Sequence, residues 1–426
     1  MIKIKSPNTI SGKIFVPGDK SISHRGLILA SMAEGISEIY GLPSGNDVQT
    51  TQSLMKKLGV EIIQMDEDLM VITSRGWAGL KASDAILECE NSGTSARLLT
   101  AILAGHSFSS VIDGDESLRQ RPMERVMKPL RLMGADITSQ NSNDLLPLEI
   151  QGKQLHGIDY QMPIASAQVK SAILLAGLNA EGETSVTEPF PSRDHTERFF
   201  SWLNLPLQRN RLTYKISPSK VPAFSLKIPG DFSSAAYFVA LGLIHPDAEI
   251  TISDVNLNPT RAALLDVLRR MGGYISLTVL EDKPELVGEI TVRSSELKNT
   301  TVDVSEIPAM IDELPLLAVV ATQAEGTLKL TGAQELRVKE SDRISALVPQ
   351  LRKMGANIDE LPDGFIVEGL TPLKGAKLEA CKDHRIAMSL AIAATIAEGK
   401  SKLAGDEWVK ISFPDFFKIL KQIGNK

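Results

Sequence analysis

Cysteine is nearly missing from this chain: its 426 residues include two, Cys89 and Cys381, and neither belongs to a C-x-x-C pair. That argues against a disulfide framework and a thiolate zinc site, and it points to a reducing compartment, the cytoplasm. The six histidines are scattered, and no HExxH, GxSxG or GxGxxG element is convincingly placed. The GDKS stretch lacks the spacing of a P-loop, so no metal or cofactor site is read. No apolar run approaches the roughly 20 residues of a membrane span. The N-terminal MIKIKSPNTISGKIFV has no continuous apolar core of the kind a signal peptide carries. Positive charge is not in excess either: 46 Lys and Arg against 52 Asp and Glu leave a formal net charge of −6. This excludes the broad basic footprint of a nucleic-acid binder and leaves room for a small basic pocket.

What the chain has is ordinary globular bulk, 43% hydrophobic and 23% charged, and a length that calls for two domains. It also has a repeated phrase: a polar or Gly-rich opening, an apolar Ala-rich run, and often a closing Gly. The copies are GDKSISHRGLILASMAEG, NSGTSARLLTAILAG, ASAQVKSAILLAGLNAEG, GDFSSAAYFVALG, IDELPLLAVVATQAEG and DHRIAMSLAIAATIAEG. With Lys20, Asn91, Ser166, Asp231, Asp312 and Asp383 as markers, the steps are 71, 75, 65, 81 and 71 residues. A second element recurs in each period as LMKKLGVEI, LRLMGADI, LRRMGGYI and LRKMGANI, with weaker copies FFSWLNLPL and FFKILKQIG. Leu and Met at helical spacing followed by Gly predict an amphipathic helix with a Gly C-cap, and the β-prone residues beyond predict a strand.

Each period therefore reads as strand, buried helix, strand, amphipathic helix and one or two strands, an α/β unit used three times in each of two domains. VPGDKSISHR is echoed by IPGDFSSAAYF, so the second half restarts like the first. The expected domains are 20–226, and 227–426 together with an N-terminal strand in 1–19. No exposed apolar stripe demands a partner, so a monomer is expected.

The chemistry sits at the helix starts. Unpaired N–H groups and the positive end of the macrodipole suit phosphate or carboxylate there. Around the starts fall Lys20, Ser21, Arg25, Asn91, Gly93, Thr94, Arg97, Ser166, Gln168, Lys170 and Arg385. The loops before the amphipathic helices add Arg119, Arg121, Arg193, Lys339 and Arg343. Cations at helix starts oppose the macrodipole, so structure alone gives little reason for Lys20 and Arg385. Taken singly, Ser21 and Ser166 read equally as N-caps, and Arg343 as a partner of Glu340 one turn away. Jointly, these donors fit a substrate bearing several negative charges. Two acids stand among them, Asp312 at the opening of IDELPLLAVV and Glu340 between Lys339 and Arg343. Beside bound anions such carboxylates can move protons.

On PGDKSISHR, NSGTSARLL, LRQRPM, SAQVKSAILLA, VKESDR and DHRIAM, in this order and over essentially the whole chain, the sequence resembles the enolpyruvyl transferases. The resemblance implies a two-domain α/β fold, each domain three βαβαββ-type repeats around buried helices (an inside-out α/β barrel), with substrates between the domains and closure upon them. It implies transfer of the enolpyruvyl group of phosphoenolpyruvate to the 5-hydroxyl of shikimate 3-phosphate, without metal or cofactor. By matching positions, Lys20, Ser21, Arg25, Ser166, Gln168, Ser192, Asp312 and Lys339 would hold shikimate 3-phosphate. Lys20, Gly93, Arg121, Gln168, Arg343 and Arg385 would hold phosphoenolpyruvate. Asp312 and Glu340, helped by Lys20, would move protons.

The pattern departs from the family in places. Ile411 stands where some members carry Lys, with Lys410 one residue earlier. Ala167 replaces a second Ser, and Leu98 follows Arg97 where others carry Pro. Gly93 favours inhibition by glyphosate, while Leu98 leaves its strength open. The sister reaction on UDP-N-acetylglucosamine is the nearest alternative, yet the loop DESLRQRPME lacks the Cys common there. Cys89 reads as a small buried residue. A catalytically inactive metabolite-binding homologue is the other alternative, and the retained acids and cations argue against it.

Overall fold

The computed structural model describes residues 1–141 and 143–424. It divides into two units, Gly18–Ile228, and Met1–Pro17 with Pro229–Lys426.

The repeat is visible at full length between residues 87 and 151. Strand Leu87–Glu88 leads to helix Gly93–Ala104, strand Ser109–Asp113, helix Glu124–Leu132, and strands Asp136–Ser139 and Leu148–Gln151. Leu87 pairs with Ile112 in parallel, and the remaining pairings are antiparallel. Strands Asp159–Gln161, Thr184–Thr187, Thr213–Ile216 and Leu207–Asn210 repeat that order. In the first repeat the parallel partner of Ala33–Tyr40 comes from the far end of the unit, in Val221–Pro222 and Ser225–Lys227.

The other unit solves the same problem with the N-terminus. Ile10–Phe15 pairs in parallel with Ala248–Asn256, and Ile2–Lys5 completes the sheet of Lys377–Glu379 and Lys400–Ala404. Thr327–Leu330, Gly364–Glu368 and Asn357–Leu361 form its third sheet.

The helices explain the layering. Lys20–Met32, Gly93–Ala104 and Ala167–Gly177 in one unit are buried along almost their whole length. So are Phe232–Ile244, Leu314–Thr322 and His384–Ile396 in the other. Helices apolar on every side must be enclosed, and the one-sided helices such as Asn46–Lys57 and Arg343–Lys353 help the sheets to enclose them. Each unit thereby holds its own continuous apolar core. Among the described residues no helix is long and apolar enough to cross a membrane.

The predicted Gly caps follow the Leu/Met helices. Gly59, Gly134, Gly272 and Gly355 stand at φ +88°, +97°, +96° and +91°, where a Cβ would be strained. In the weaker copy FFSWLNLPL, Asn204 takes the left-handed position at φ +53°. Asn tolerates that region better than other non-glycine residues, which is why the signal was weak there and the turn survived.

Small residues let the enclosed helices approach the sheets. A methyl on Gly177 would lie 2.6 Å from Ile216 Cγ2 and 3.0 Å from Thr184 Cβ. Gly177→Ala should therefore lower stability by about 1–3 kcal/mol through overpacking, read as a lower urea midpoint at unchanged slope.

Candidate active site

In the unit Gly18–Ile228 the starts of the three buried helices are stitched together by polar side chains. Asp19, not Ser21, caps the first helix, accepting from Ile22 N at 3.0 Å. Lys20 follows as the first helical residue, and the dipole cost of a cation there is offset by an ion pair to Asp47. Arg25 donates to Thr196 Oγ1 at 2.7 Å, to Ser171 Oγ at 2.8 Å and to the Ser21 carbonyl at 3.0 Å. Ser92 caps the second helix, and Ser166 the third. Arg97 Nη1 meets Gln168 Oε1 at 2.5 Å, and Gln168 Nε2 meets Thr94 Oγ1 at 2.9 Å, joining helices two and three. Arg121 donates to Asn91 Oδ1 at 2.6 Å, beside Gly93. A Cβ on Gly93 would sit 3.0 Å from Arg97 and 3.5 Å from Arg121, so the missing side chain keeps the space before that guanidinium open.

Under these groups lies a buried relay the sequence did not reveal. His24 Nδ1 is 2.7 Å from Thr51 Oγ1, Thr51 is 2.7 Å from Ser95 Oγ, and Ser95 donates to Ser92 at 2.7 Å. Burial, reinforced by the nearby Lys20 charge, lowers the His24 pKa to about 3.

In the other unit the charges condense further. Arg343 is almost fully buried and meets three carboxylates: Asp383 at 2.9 Å through Nε, Asp312 at 3.2 Å through Nη1 and Glu340 at 2.5 Å through Nη2. Burial opposes its charge, but Asp383 and Glu340 outweigh that and raise its pKa. Lys339 Nζ lies 3.7 Å from Asp312. Arg385 approaches Asp312 Oδ2 at 3.8 Å and Glu313 Oε1 at 3.3 Å. Its pKa rises despite burial, chiefly through Asp312. Asp383 both caps its helix and pairs with Arg343, and although burial pushes its pKa up, Arg343 brings the net shift down. Side-chain exposure separates the acids: Asp312 keeps 14% and Glu340 18%, against 0% for Asp383 and 1% for Glu313. Asp312 and Glu340 are thus accessible to a ligand, whereas Asp383 and Glu313 are sealed.

Several sequence expectations need correction. Lys170 is no accessible donor at its helix start: it is fully buried, 2.8 Å from Glu188 and 2.6 Å from Glu197, with its Nζ 4.7 Å from the Tyr214 ring. Arg119 is turned to Asp113 and half exposed. Asp312 does not open the helix itself. It lies in a single 3-10 turn, Ile311–Glu313, and the helix begins at Leu314 with Pro315 in its first turn. Ser192, which remains a candidate for shikimate 3-phosphate, is buried and donates to Glu188 Oε2 at 2.5 Å. Arg261, Glu313, Asp47 and Glu188 were missed. Only Arg261 had a usable signal, lying before an amphipathic helix in the same phase as Arg121 and Arg343. Among the described residues no group of three or more His, Cys, Asp and Glu could hold a metal ion.

Buried helices enclosed in threes by mixed sheets, with polar and charged side chains gathered at their starts, define the enolpyruvyl transferase class. The enolpyruvyl transferase NikO from Streptomyces tendae superposes with a TM-score of 0.79 over 99% of this chain and 97% of its own, at 17% identity, a likeness of fold. EPSP synthase from Acinetobacter baumannii superposes with a TM-score of 0.89 at 40% identity, covering 99% and 98% of the two chains. Residues 4–420 match the family EPSP synthase (3-phosphoshikimate 1-carboxyvinyltransferase). The 3-phosphoshikimate 1-carboxyvinyltransferases of Thermodesulfovibrio yellowstonii and Brevibacillus brevis are 47% and 43% identical, each across 99% of this chain and 99% and 100% of their own. The chain belongs to the EPSP synthase family of enzymes, as the six segments indicated.

The relay under the site carries a pH signature. An unfolded His24 protonates below about pH 6.5, whereas the folded one stays neutral down to about 3. Its contribution is therefore complete above pH 6.5 and is lost as pH falls towards 3. At pH 5 the deficit is roughly 2 kcal/mol. Replacing His24 with the non-titrating Asn should shrink the drop in urea-unfolding free energy between pH 7 and pH 5 by about that amount.

Proposed function

We propose that this chain transfers the enolpyruvyl group of phosphoenolpyruvate to the 5-hydroxyl of shikimate 3-phosphate and releases phosphate. The observation that carries the residue assignment is the pair of accessible acids, Asp312 and Glu340, held on one buried guanidinium, Arg343, with Lys339 and Arg385 alongside. Asp312 accepts the proton of the attacking 5-hydroxyl. Glu340, aided by Lys20, protonates the methylene carbon, and the C–O bond forms to give a tetrahedral intermediate. Glu340 then removes a methyl proton, the carbon–carbon double bond re-forms, and the C–O bond to phosphate breaks.

Lys20, Ser21, Arg25, Ser166, Gln168, Ser192, Asp312 and Lys339 hold shikimate 3-phosphate. Lys20, Gly93, Arg121, Gln168, Arg343 and Arg385 hold phosphoenolpyruvate, their fixed charges stabilising the anionic intermediate and leaving phosphate. The resting ion pairs support this reading. Guanidinium groups already held in place by carboxylates can meet substrate carboxylate and phosphate with little reorganisation. A monomer acting in the cytoplasm belongs to the same proposal, and sedimentation of the purified chain checks the first part.

Phosphate release should occur from phosphoenolpyruvate with shikimate 3-phosphate and not with UDP-N-acetylglucosamine; the reverse result would replace the acceptor. Asp312→Ala and Glu340→Ala should each lose about 10²–10⁴ in turnover with an unchanged circular dichroism spectrum. Near-normal turnover in either variant would remove that residue from the mechanism. Gly93→Ala should raise the KM for phosphoenolpyruvate while leaving that for shikimate 3-phosphate within about twofold, since a methyl there crowds Arg97 and fills the space before Arg121, with Lys20 not among its nearest neighbours.

A further inference from the structure

Arg261 and Glu313 form a sealed, two-point ion pair. Arg261 grips both carboxylate oxygens of Glu313, at 2.8 Å from Nη1 to Oε2 and 3.1 Å from Nη2 to Oε1. Ser233 Oγ donates to Glu313 Oε1 at 2.6 Å. Arg261 is itself held: its backbone N–H donates to the Asn258 carbonyl at 2.8 Å, Asp231 lies 3.7 Å from Nη2, and its guanidinium stands 5.6 Å from the Phe232 ring centre. The side chains of Arg261 and Glu313 are 2% and 1% exposed. A buried pair of this kind is often replaceable by apolar side chains without loss of stability.

The pair reaches the accessible groups through Arg385. Nη1 of Arg385 donates to Ser233 Oγ at 2.9 Å and to Glu313 Oε1 at 3.3 Å, while its contact with the Asp312 carbonyl is longer, at 3.4 Å. Glu313 is therefore the carboxylate closest to the Arg385 guanidinium, since Asp312 Oδ2 stands at 3.8 Å. The clamp holds one edge of that guanidinium and leaves Nη2 on the side of Asp312, where the accessible acids lie.

We propose that Glu313, locked by Arg261 and Ser233, is a positioning residue that pre-orients Arg385 for phosphoenolpyruvate. This deepens the functional reading above and rests on its assignment of Arg385. A guanidinium aligned before binding loses little freedom when the anion arrives, so the gain falls on phosphoenolpyruvate and not on shikimate 3-phosphate.

The test is steady-state phosphate release by wild type, Glu313→Gln, Ser233→Ala, Arg385→Ala and the double variant Glu313→Gln/Arg385→Ala. Glu313→Gln keeps the shape and removes the charge. Its KM for phosphoenolpyruvate should rise about tenfold or more, with the KM for shikimate 3-phosphate within about twofold, as expected for losing one charge-assisted hydrogen bond. In the Arg385→Ala background the same change should add almost nothing, because its effect runs through Arg385. Unmoved constants, an equal rise in both KM values, or full additivity in the double variant would each overturn the assignment.

If Glu313→Gln does not fold, Ser233→Ala decides, since it leaves no charge unpaired. A rise of about threefold confined to phosphoenolpyruvate supports the clamp, and wild-type constants overturn it. A wild type silent with shikimate 3-phosphate sinks the functional reading and this assignment with it. An active wild type with flat phosphoenolpyruvate constants sinks the clamp alone.

Discussion

A helix that is apolar on every face has one stable place, inside, and burying it creates a problem at its N-terminus. Four backbone N–H groups there have no intrahelical partner, and water can no longer supply one freely. Six helices of this chain face that constraint. Five are answered by a side chain: Asp19, Ser92, Ser166, Asp231 and Asp383 each accept from the first turn. The sixth is led in by the 3-10 turn Ile311–Glu313 with Pro315 in its first turn, where a missing N–H costs nothing. Polar caps, an uncompensated positive dipole end and neighbouring donors are thus gathered by the packing itself. The site grows out of the places where the core has to be polar.

Charge then follows from burial. Arg343 and Arg261 are too deep to remain ionised without partners, and each is met by carboxylates at hydrogen-bond distance. Lys170 obeys the same rule between Glu188 and Glu197. What separates the proposed catalytic network from this structural one is access. Asp312 and Glu340 retain exposed surface beside Arg343, whereas the Lys170 cluster is closed. Buried pairing raises the stakes of every substitution, because removing one partner strands the other.

Much of the fold was legible in the pattern. Ala-rich runs without a polar face announced helices that must be enclosed, and Leu/Met stripes ending in Gly announced amphipathic helices with left-handed caps. Asn204 shows the limit: a residue that tolerates the left-handed region weakens the sequence cue without changing the turn. The proposed site was legible as a set of residue types at one phase of the repeat, and Lys20, Arg121, Gln168, Arg343 and Arg385 all sit at such positions. Lys170 matched the same pattern and proved to be core, since one turn along a helix converts an accessible start into an enclosed interior. The pairing of Arg261 with Glu313 was invisible because the meaning of each lies in the other, 52 residues apart.

The sequence by itself determined the repeat, the α/β class and the family resemblance, because those are carried by local periodicity and by short runs of residues that act together. Only the tertiary structure decided which charges answer one another. It assigned Asp47 to Lys20, Asp383 to Arg343 and Glu313 to Arg385, and it drew the N-terminal strand Ile10–Phe15 beside Ala248–Asn256. The physical reason is range. Helix propensity and caps act over a turn or two of chain, whereas electrostatic partnership depends on distance in space and on the water that burial removes.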